Sequence, residues 1–136
     1  MYVFESYIRV RYAETDQMGY VYYGNYPMYF EVARVEMLRS LGFTYKRFEE
    51  DGIMLPVIDM HIKYIKPALY DDLLKVKIIV AKLPTSRVYF ETEIYNEANE
   101  LLNKAEVTLV CIDTVTRRIC KPPQDFIQAI EHYFKP

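Results

Sequence analysis

The sequence predicts an α+β fold in which an antiparallel sheet wraps a long helix, and three observations carry that expectation. Tyr26, Phe30, Ala33, Met37 and Leu41 recur at helical spacing, so one stripe of a helix faces a core. Downstream the period changes to two: Ile58, Met60, Ile62 and Tyr64 point one way, Asp59, His61 and Lys63 the other. Consecutive strands of meander spacing after one long helix favour antiparallel neighbours.

The elements follow in order. Residues 2–12 alternate as a first strand, and the chain from Glu14 to Asn25 is loop. Pro27 suits the first turn of a helix, where its missing N–H costs nothing, with Asn25 or Tyr26 at the cap. Glu31, Arg34, Glu36 and Arg39 lie off the apolar stripe, and Gly42 supplies the stop. At about 1.5 Å per residue such a helix spans roughly 24 Å. A short helix follows from Thr44 to Glu50, ended by Asp51-Gly52. Beyond the strand carrying Ile58 to Tyr64, Pro67 to Asp72 is a connection, and Leu74, Val76, Ile78 and Val80 mark the next strand. Pro84-Thr85-Ser86 turns into Val88, Phe90, Thr92 and Ile94, and Asn96 to Asn99 is a hairpin turn into a long strand from Leu101 to Thr114. Pro122-Pro123 then separates the sheet from a C-terminal helix, Gln124 to Tyr133.

Composition narrows the function classes. With 136 residues, 51% of them hydrophobic, the chain is read as one domain over residues 1–136 with enough core to fold without disulfides. A net charge of -2, with both signs well mixed, provides no basic stripe for nucleic acid. Met1 to Ser6 has neither a basic leader nor a long apolar run, so no membrane association and a cytoplasmic location are expected. Cys111 and Cys120 form no CxxC pair, and His61 and His132 are the only imidazoles, which argues against a metal site and leaves no cofactor implied. Cys111 sits in an apolar run and is read as a small buried hydrophobe rather than a nucleophile. His61 is read as an exposed or interface histidine on the polar face of its strand. Fourteen Tyr and no Trp suit a half-wet groove or a subunit interface, or simply a curved sheet lined with rings.

The segment Tyr12-Ala13-Glu14-Thr15-Asp16-Gln17-Met18-Gly19-Tyr20-Val21-Tyr22-Tyr23-Gly24-Asn25-Tyr26 carries the functional signal. It places a carboxylate and a glycine directly before a helix, whose first N–H groups can hold an anion or a developing oxyanion. Acyl transfer needs both parts, an oxygen nucleophile or base and fixed donors aimed at a carbonyl oxygen. An Asp before a helix otherwise reads as a turn or capping residue. Glu14, two residues from Asp16, is read as facing solvent.

This stretch resembles the hotdog-fold acyl-CoA thioesterases of the 4-hydroxybenzoyl-CoA thioesterase type. The matching pattern is an acid, two residues, glycine, one residue, valine, then a hydrophobic and an aromatic or His position: Asp16, Gly19, Val21, Tyr22 and Tyr23. The likeness continues through Asn25-Tyr26 and Glu31 to Leu38, and more loosely through Ile62 to Ala68 and the last strand. It implies a hotdog fold and a homodimer whose sheets join edge to edge, with a dimer of dimers open. It also implies hydrolysis of an acyl-CoA, or of an acyl-carrier-protein thioester, with Asp16 as nucleophile or general base. Gly19 would let the backbone turn toward substrate, the Tyr23 N–H would polarise the carbonyl, and Asn25 and Tyr26 would orient Asp16 or water. Family contacts to CoA fall near Thr85-Ser86-Arg87, with Lys63 and Lys66 as further cations; a solvated basic edge is the plain alternative. A hotdog dehydratase would want His on the central helix, which has none. A non-catalytic acyl-CoA-binding or scaffold module is the competing function.

Overall fold

A computed structural model describes residues 1–135. Five strands, β1 (Tyr2–Arg9), β3 (Val57–Tyr64), β4 (Leu73–Val80), β5 (Arg87–Tyr95) and β6 (Leu101–Val110), form one sheet in the order β1-β4-β5-β6-β3. Every neighbouring pair in it is antiparallel. The long helix α1 (Tyr26–Ser40) packs against β1 and β4. The short helix α2 (Tyr45–Glu50), a two-stranded ribbon of β2 (Ile53–Met54) with β7 (Ile112–Asp113), and α3 (Gln124–Glu131) complete the structure. This is the expected α+β arrangement of a sheet wrapped on a helix.

Period-two patterning on β4 explains why one face turns to the helix. Leu74, Val76, Ile78 and Val80 are buried, while Lys75 and Lys77 point outward between them. Val88, Phe90, Thr92 and Ile94 of β5 continue the inner face, and Asn103, Ala105, Val107 and Leu109 extend it on β6. Against this surface α1 buries Tyr26, Tyr29, Phe30, Ala33, Arg34, Met37 and Leu38. The buried face is broader than the predicted stripe, because five strands offer more surface than one row of side chains can cover. Leu41 already lies beyond the helix, which ends at Ser40 and is followed by the stop at Gly42 with φ 88°. The Thr44 hydroxyl accepts the Arg47 N–H at 3.1 Å and so starts α2 as expected.

Three expectations are corrected. The first strand stops at Arg9 rather than Tyr12, because the Glu14 carboxylate accepts the Arg11 N–H at 2.9 Å and folds Tyr12–Glu14 into a tight helical turn. The run from Leu101 to Thr114 is not one strand. Val110 N–H donates to the Pro56 carbonyl and Cys111 N–H to that of Ser86, so the chain leaves the main sheet and β7 pairs with β2.

The third correction concerns pairing order. β3 does not neighbour β4; it crosses to the far edge and pairs with β6, so only β4, β5 and β6 form a meander. The crossing segment is tied down at both ends: Leu102 carbonyl accepts the N–H groups of Ile65 and Lys66, and Ala68 carbonyl accepts that of Val21. As an edge strand β3 has no outer partner among the described residues, and its alternation is not matched by burial. Ile58, Met60 and Tyr64 are 46%, 41% and 49% exposed. No helix among the described residues is long and apolar enough to cross a membrane.

The packing predicts unequal costs for neighbouring isoleucines. Ile78, fully buried beneath α1, should lose about 2–5 kcal/mol on Ile78→Ala in urea unfolding. Ile79, on the outer face, should lose less than half as much; equal losses would contradict the assigned faces.

Candidate active site

The loop between β1 and α1 is built from short-range hydrogen bonds around Asp16. Its N–H donates to the Tyr20 carbonyl at 2.8 Å, and its carbonyl accepts the Gly19 N–H at 3.0 Å. One side-chain oxygen, Oδ1, accepts the N–H groups of Met18 and Tyr20 at 2.9 and 3.2 Å. Gly19 turns the chain at φ 78°, a left-handed conformation that a side chain would strain. The loop therefore reverses at Gly19 through a backbone conformation that favours glycine. Thr15 bridges to Val21 and Tyr20 to Leu69, which fastens the loop to the segment after β3.

Asp16 opens into a groove of about 280 Å³, with Met18, Tyr20, Val21, Tyr23 and Tyr26 on one side and Tyr64, Ile65, Lys66 and Pro67 on the other. Tyr64 hydroxyl donates to the Tyr23 carbonyl at 3.0 Å, so β3 and the helix start are latched across the groove. Burial pushes the Tyr26 phenol up, with smaller contributions from Tyr64 and Asp16, and its oxygen accepts the Ala68 N–H at 3.1 Å. Residues Tyr23–Asn25 form a single helical turn that runs into α1. The N–H groups of Tyr23 and Gly24 open that turn, where no preceding helical carbonyl exists, and neither donates to another described residue. Two backbone donors without a partner among the described residues thus open the helical turn that follows the Asp16 loop.

Asn25 occupies the cap position of α1 but does not cap it with its side chain. Its amide instead donates to the Glu14 carbonyl at 3.0 Å. Glu14 itself overturns the expectation of a solvent-facing acid, being only 5% exposed. Its carboxylate accepts the Arg11 N–H at 2.9 Å, the Arg11 guanidinium at 3.0 and 2.8 Å, and the Tyr29 hydroxyl at 2.9 Å. Burial alone would raise its pKa, yet these hydrogen bonds outweigh it and hold the carboxyl below the usual glutamate value. Burial and the adjacent carboxylate push the Tyr29 phenol up.

The sequence-predicted cations do not gather here. Lys66 lines the groove and pairs with Glu100. Lys63 follows the opposite pleat from Tyr64 and sits opposite Lys104 on the outer face. Thr85, Ser86 and Arg87 form the turn into β5, at the Val110 end of β6, whereas Ile94 and Asn103 mark the groove end. Arg87 and Ile94 are roughly 23 Å apart at about 3.3 Å per residue. Within one chain the Asp16 groove and the Arg87 turn are at opposite ends of the sheet. Elsewhere, burial pushes the Cys111 thiol up to about 11, so it is a poor nucleophile. Among the described residues no three His, Cys, Asp or Glu side chains cluster as metal ligands. A separate cavity of about 370 Å³ beside Arg34 contains none of the predicted site residues.

Sequence reading missed the contributions of Glu14, Tyr20 and Tyr64. The spacing of Arg11 and Glu14 was a signal for a local pair, but the burial of that pair depends on Tyr29, fifteen positions onward.

A sheet wrapped on one helix, with an acid loop seated against the helix start, defines a hotdog-fold protein. The thioesterase-like superfamily model matches residues 10–130, and the chain belongs to that superfamily. YneP of Bacillus subtilis, provisionally named an acyl-CoA thioesterase, is 40% identical over 113 residues, 83% of this chain and 82% of its own. The acyl-CoA thioester hydrolase YbgC of Escherichia coli O6:H1 is 32% identical over 120 residues, 88% of this chain and 90% of its own. In three dimensions the chain is similar to the DHNA-CoA thioesterase of Staphylococcus aureus, with a TM-score of 0.92 and 36% identity over 98% of this chain and 92% of that one.

The Glu14 carboxylate predicts an acid-sensitive contribution to stability. A pKa lower in the folded than in the unfolded chain stabilises at pH above the unfolded value and loses that effect as pH falls through the folded value. Glu14→Gln should therefore be less stable than the parent in urea near neutral pH, and the difference should shrink on acidification below the ordinary glutamate range of about 4.3. A difference independent of pH would show that Glu14 is not held ionised.

Proposed function

We propose that this chain hydrolyses acyl-CoA thioesters in the groove beside Asp16. The observation that carries the proposal is the division of labour within one carboxylate: Oδ1 is tied to the Met18 and Tyr20 N–H groups, while Oδ2 has no partner among the described residues. One oxygen fixes the group and the other is available for chemistry. A thioester carbonyl placed in the groove would direct its oxygen to the Tyr23 and Gly24 N–H groups, which stabilise the negative charge of a tetrahedral intermediate. In the nucleophilic route Oδ2 bonds to the carbonyl carbon, the C–S bond breaks to release CoA thiolate, and water hydrolyses the mixed anhydride. In the general-base route Asp16 takes a proton from water as it attacks, and the intermediate collapses with the same thiolate leaving and accepting that proton. Both routes yield a free acid and CoA thiol.

The names of YneP and YbgC support CoA as the thiol partner rather than an acyl-carrier protein. A homodimer completes the reading. β3 is an unpaired edge carrying exposed Ile58, Met60 and Tyr64, and such an edge calls for a partner. Two copies joined antiparallel through β3 about a two-fold axis bring the Arg87 end of one chain toward the Asp16 groove of the other. Such a dimer would bring the two halves of the predicted site together.

Release of free thiol from a panel of acyl-CoAs, followed with a thiol-reactive dye, tests the assignment. Asp16→Ala should lower kcat by roughly a thousandfold with the fold intact. Asp16→Asn, which keeps an acceptor for Met18 and Tyr20, should be impaired to a similar degree. Unchanged turnover in either well-folded variant removes Asp16 from the mechanism, and no thiol release from any acyl-CoA favours a binding or scaffold module.

A further inference from the structure

We propose that Glu14 is a positioning residue for the reaction, fixing the Asp16 carboxylate relative to the donors at the start of α1. The inference rests on the reading of Asp16 given above. Glu14 is the point at which three pieces of the site meet. Its carbonyl oxygen accepts the Tyr22 N–H at 2.9 Å and the Asn25 amide at 3.0 Å, so it closes the loop that contains Asp16 and also grips the residue that starts α1. Its side chain reaches the other way, to the Arg11 N–H just after β1 and to the hydroxyl of Tyr29, which is completely buried on α1.

The consequence is geometric. Thr15 and Val21, which bridge to each other, stand directly inside the Glu14–Tyr22 closure, and Asp16 is the next residue inward. A displacement of Glu14 therefore moves both stems of the loop against the helix. Tyr23 and Gly24 follow Tyr22 without a break, so their N–H groups stay in place relative to Asp16 only while this closure holds. Positioned catalysis is sensitive to such shifts, since a misplacement of about 1 Å can cost on the order of a hundredfold. Arg11 neutralises the carboxylate from the solvent side, its side chain being 74% exposed, which leaves position rather than charge as the means by which Glu14 acts on Asp16.

Four donors converge on the two oxygens of Glu14. An amide of the same shape retains one acceptor oxygen and turns its NH2 group toward donors, so Glu14→Gln disrupts the junction without opening a cavity. The expected result is a ten- to hundredfold lower kcat with KM within about threefold of the parent. A residue acting through Asp16 is non-additive with it, so Glu14→Gln combined with Asp16→Ala should be no slower than Asp16→Ala alone. Arg11→Ala loosens the same carboxylate from an exposed position that the core tolerates, and should lower kcat about three- to tenfold, which keeps the test decisive if Glu14→Gln fails to fold. Parental kcat in folded Glu14→Gln or in Arg11→Ala, beside an inactive Asp16→Ala, overturns the positioning role alone. Additive losses in the double variant, or a loss confined to KM, overturn it as well. Full activity in Asp16→Ala overturns instead the reading of the site on which this inference stands.

Discussion

The structure depends on one geometric constraint: one face of a five-stranded sheet must be covered, by α1 over β1 and β4 and by Phe48 of α2 with Phe126 and Ile130 of α3 elsewhere in the core. α1 meets its part of that demand by lying along β1 and β4, where Leu74, Val76, Ile78 and Val80 offer a continuous apolar row. Burying this row contributes to the driving force for the fold, at roughly 1.5–3 kcal/mol for each large aliphatic side chain removed from water. The same placement leaves the opposite edge, β3, without cover. Ile58, Met60 and Tyr64 stay exposed there, and the groove opens between that edge and the start of the helix. Core packing and site location are therefore two outcomes of one arrangement.

Within that frame the loop from Arg11 to Asn25 carries the chain from β1 to the start of α1 and holds Asp16 at the groove. Strand β1 ends because Glu14 turns back on Arg11, the chain reverses at Gly19, and Tyr22 returns to the Glu14 carbonyl before the helix begins. Each step gives a loop N–H group a partner: Arg11 to the Glu14 carboxylate, Gly19 to the Asp16 carbonyl and Tyr22 to the Glu14 carbonyl. Among the described residues, the Tyr23 and Gly24 N–H groups and the second oxygen of Asp16 are left without partners. Tyrosine abundance acquires a location as well. Tyr20, Tyr23, Tyr26 and Tyr64 line the groove, combining ring surface with hydroxyls that latch it, while Tyr7 and Tyr89 occupy the outer sheet face.

What the sequence made legible follows from the range of the interactions involved. The stripe from Tyr26 to Met37, the Thr44 cap and the Gly42 stop rest on neighbours a few residues away, and all were readable. Pairing of β3 with β6 was not, because alternation on Ile58 to Tyr64 says which way side chains point and nothing about which strand lies beside them. The hydrophobic run from Leu101 onward hid the departure at Cys111 for the same reason, since hydrogen bonds to Ser86 and Pro56 caused it. At the site, Asp16 and Gly19 stood out through a contiguous pattern. Glu14 did not, since an acid in a loop reads as solvated until Tyr29 is found above it. Lys63 and Lys66 looked equivalent in the sequence, yet Lys63 lies on the outer pleat of β3 while Lys66 follows the strand in the connection that lines the groove.

We propose that Asp16 of one chain works with the Arg87 turn of another, and hybrid dimers test this most directly. Asp16→Ala and Arg87→Glu should each be strongly impaired as pure proteins. Unfolded and refolded together in equal amounts, they should recover up to about a quarter of parental turnover, because half of the dimers are hybrids and each hybrid carries one intact site. A mixture no more active than its two components, an active monomer at assay concentration, or full turnover in Arg87→Glu alone would contradict the account.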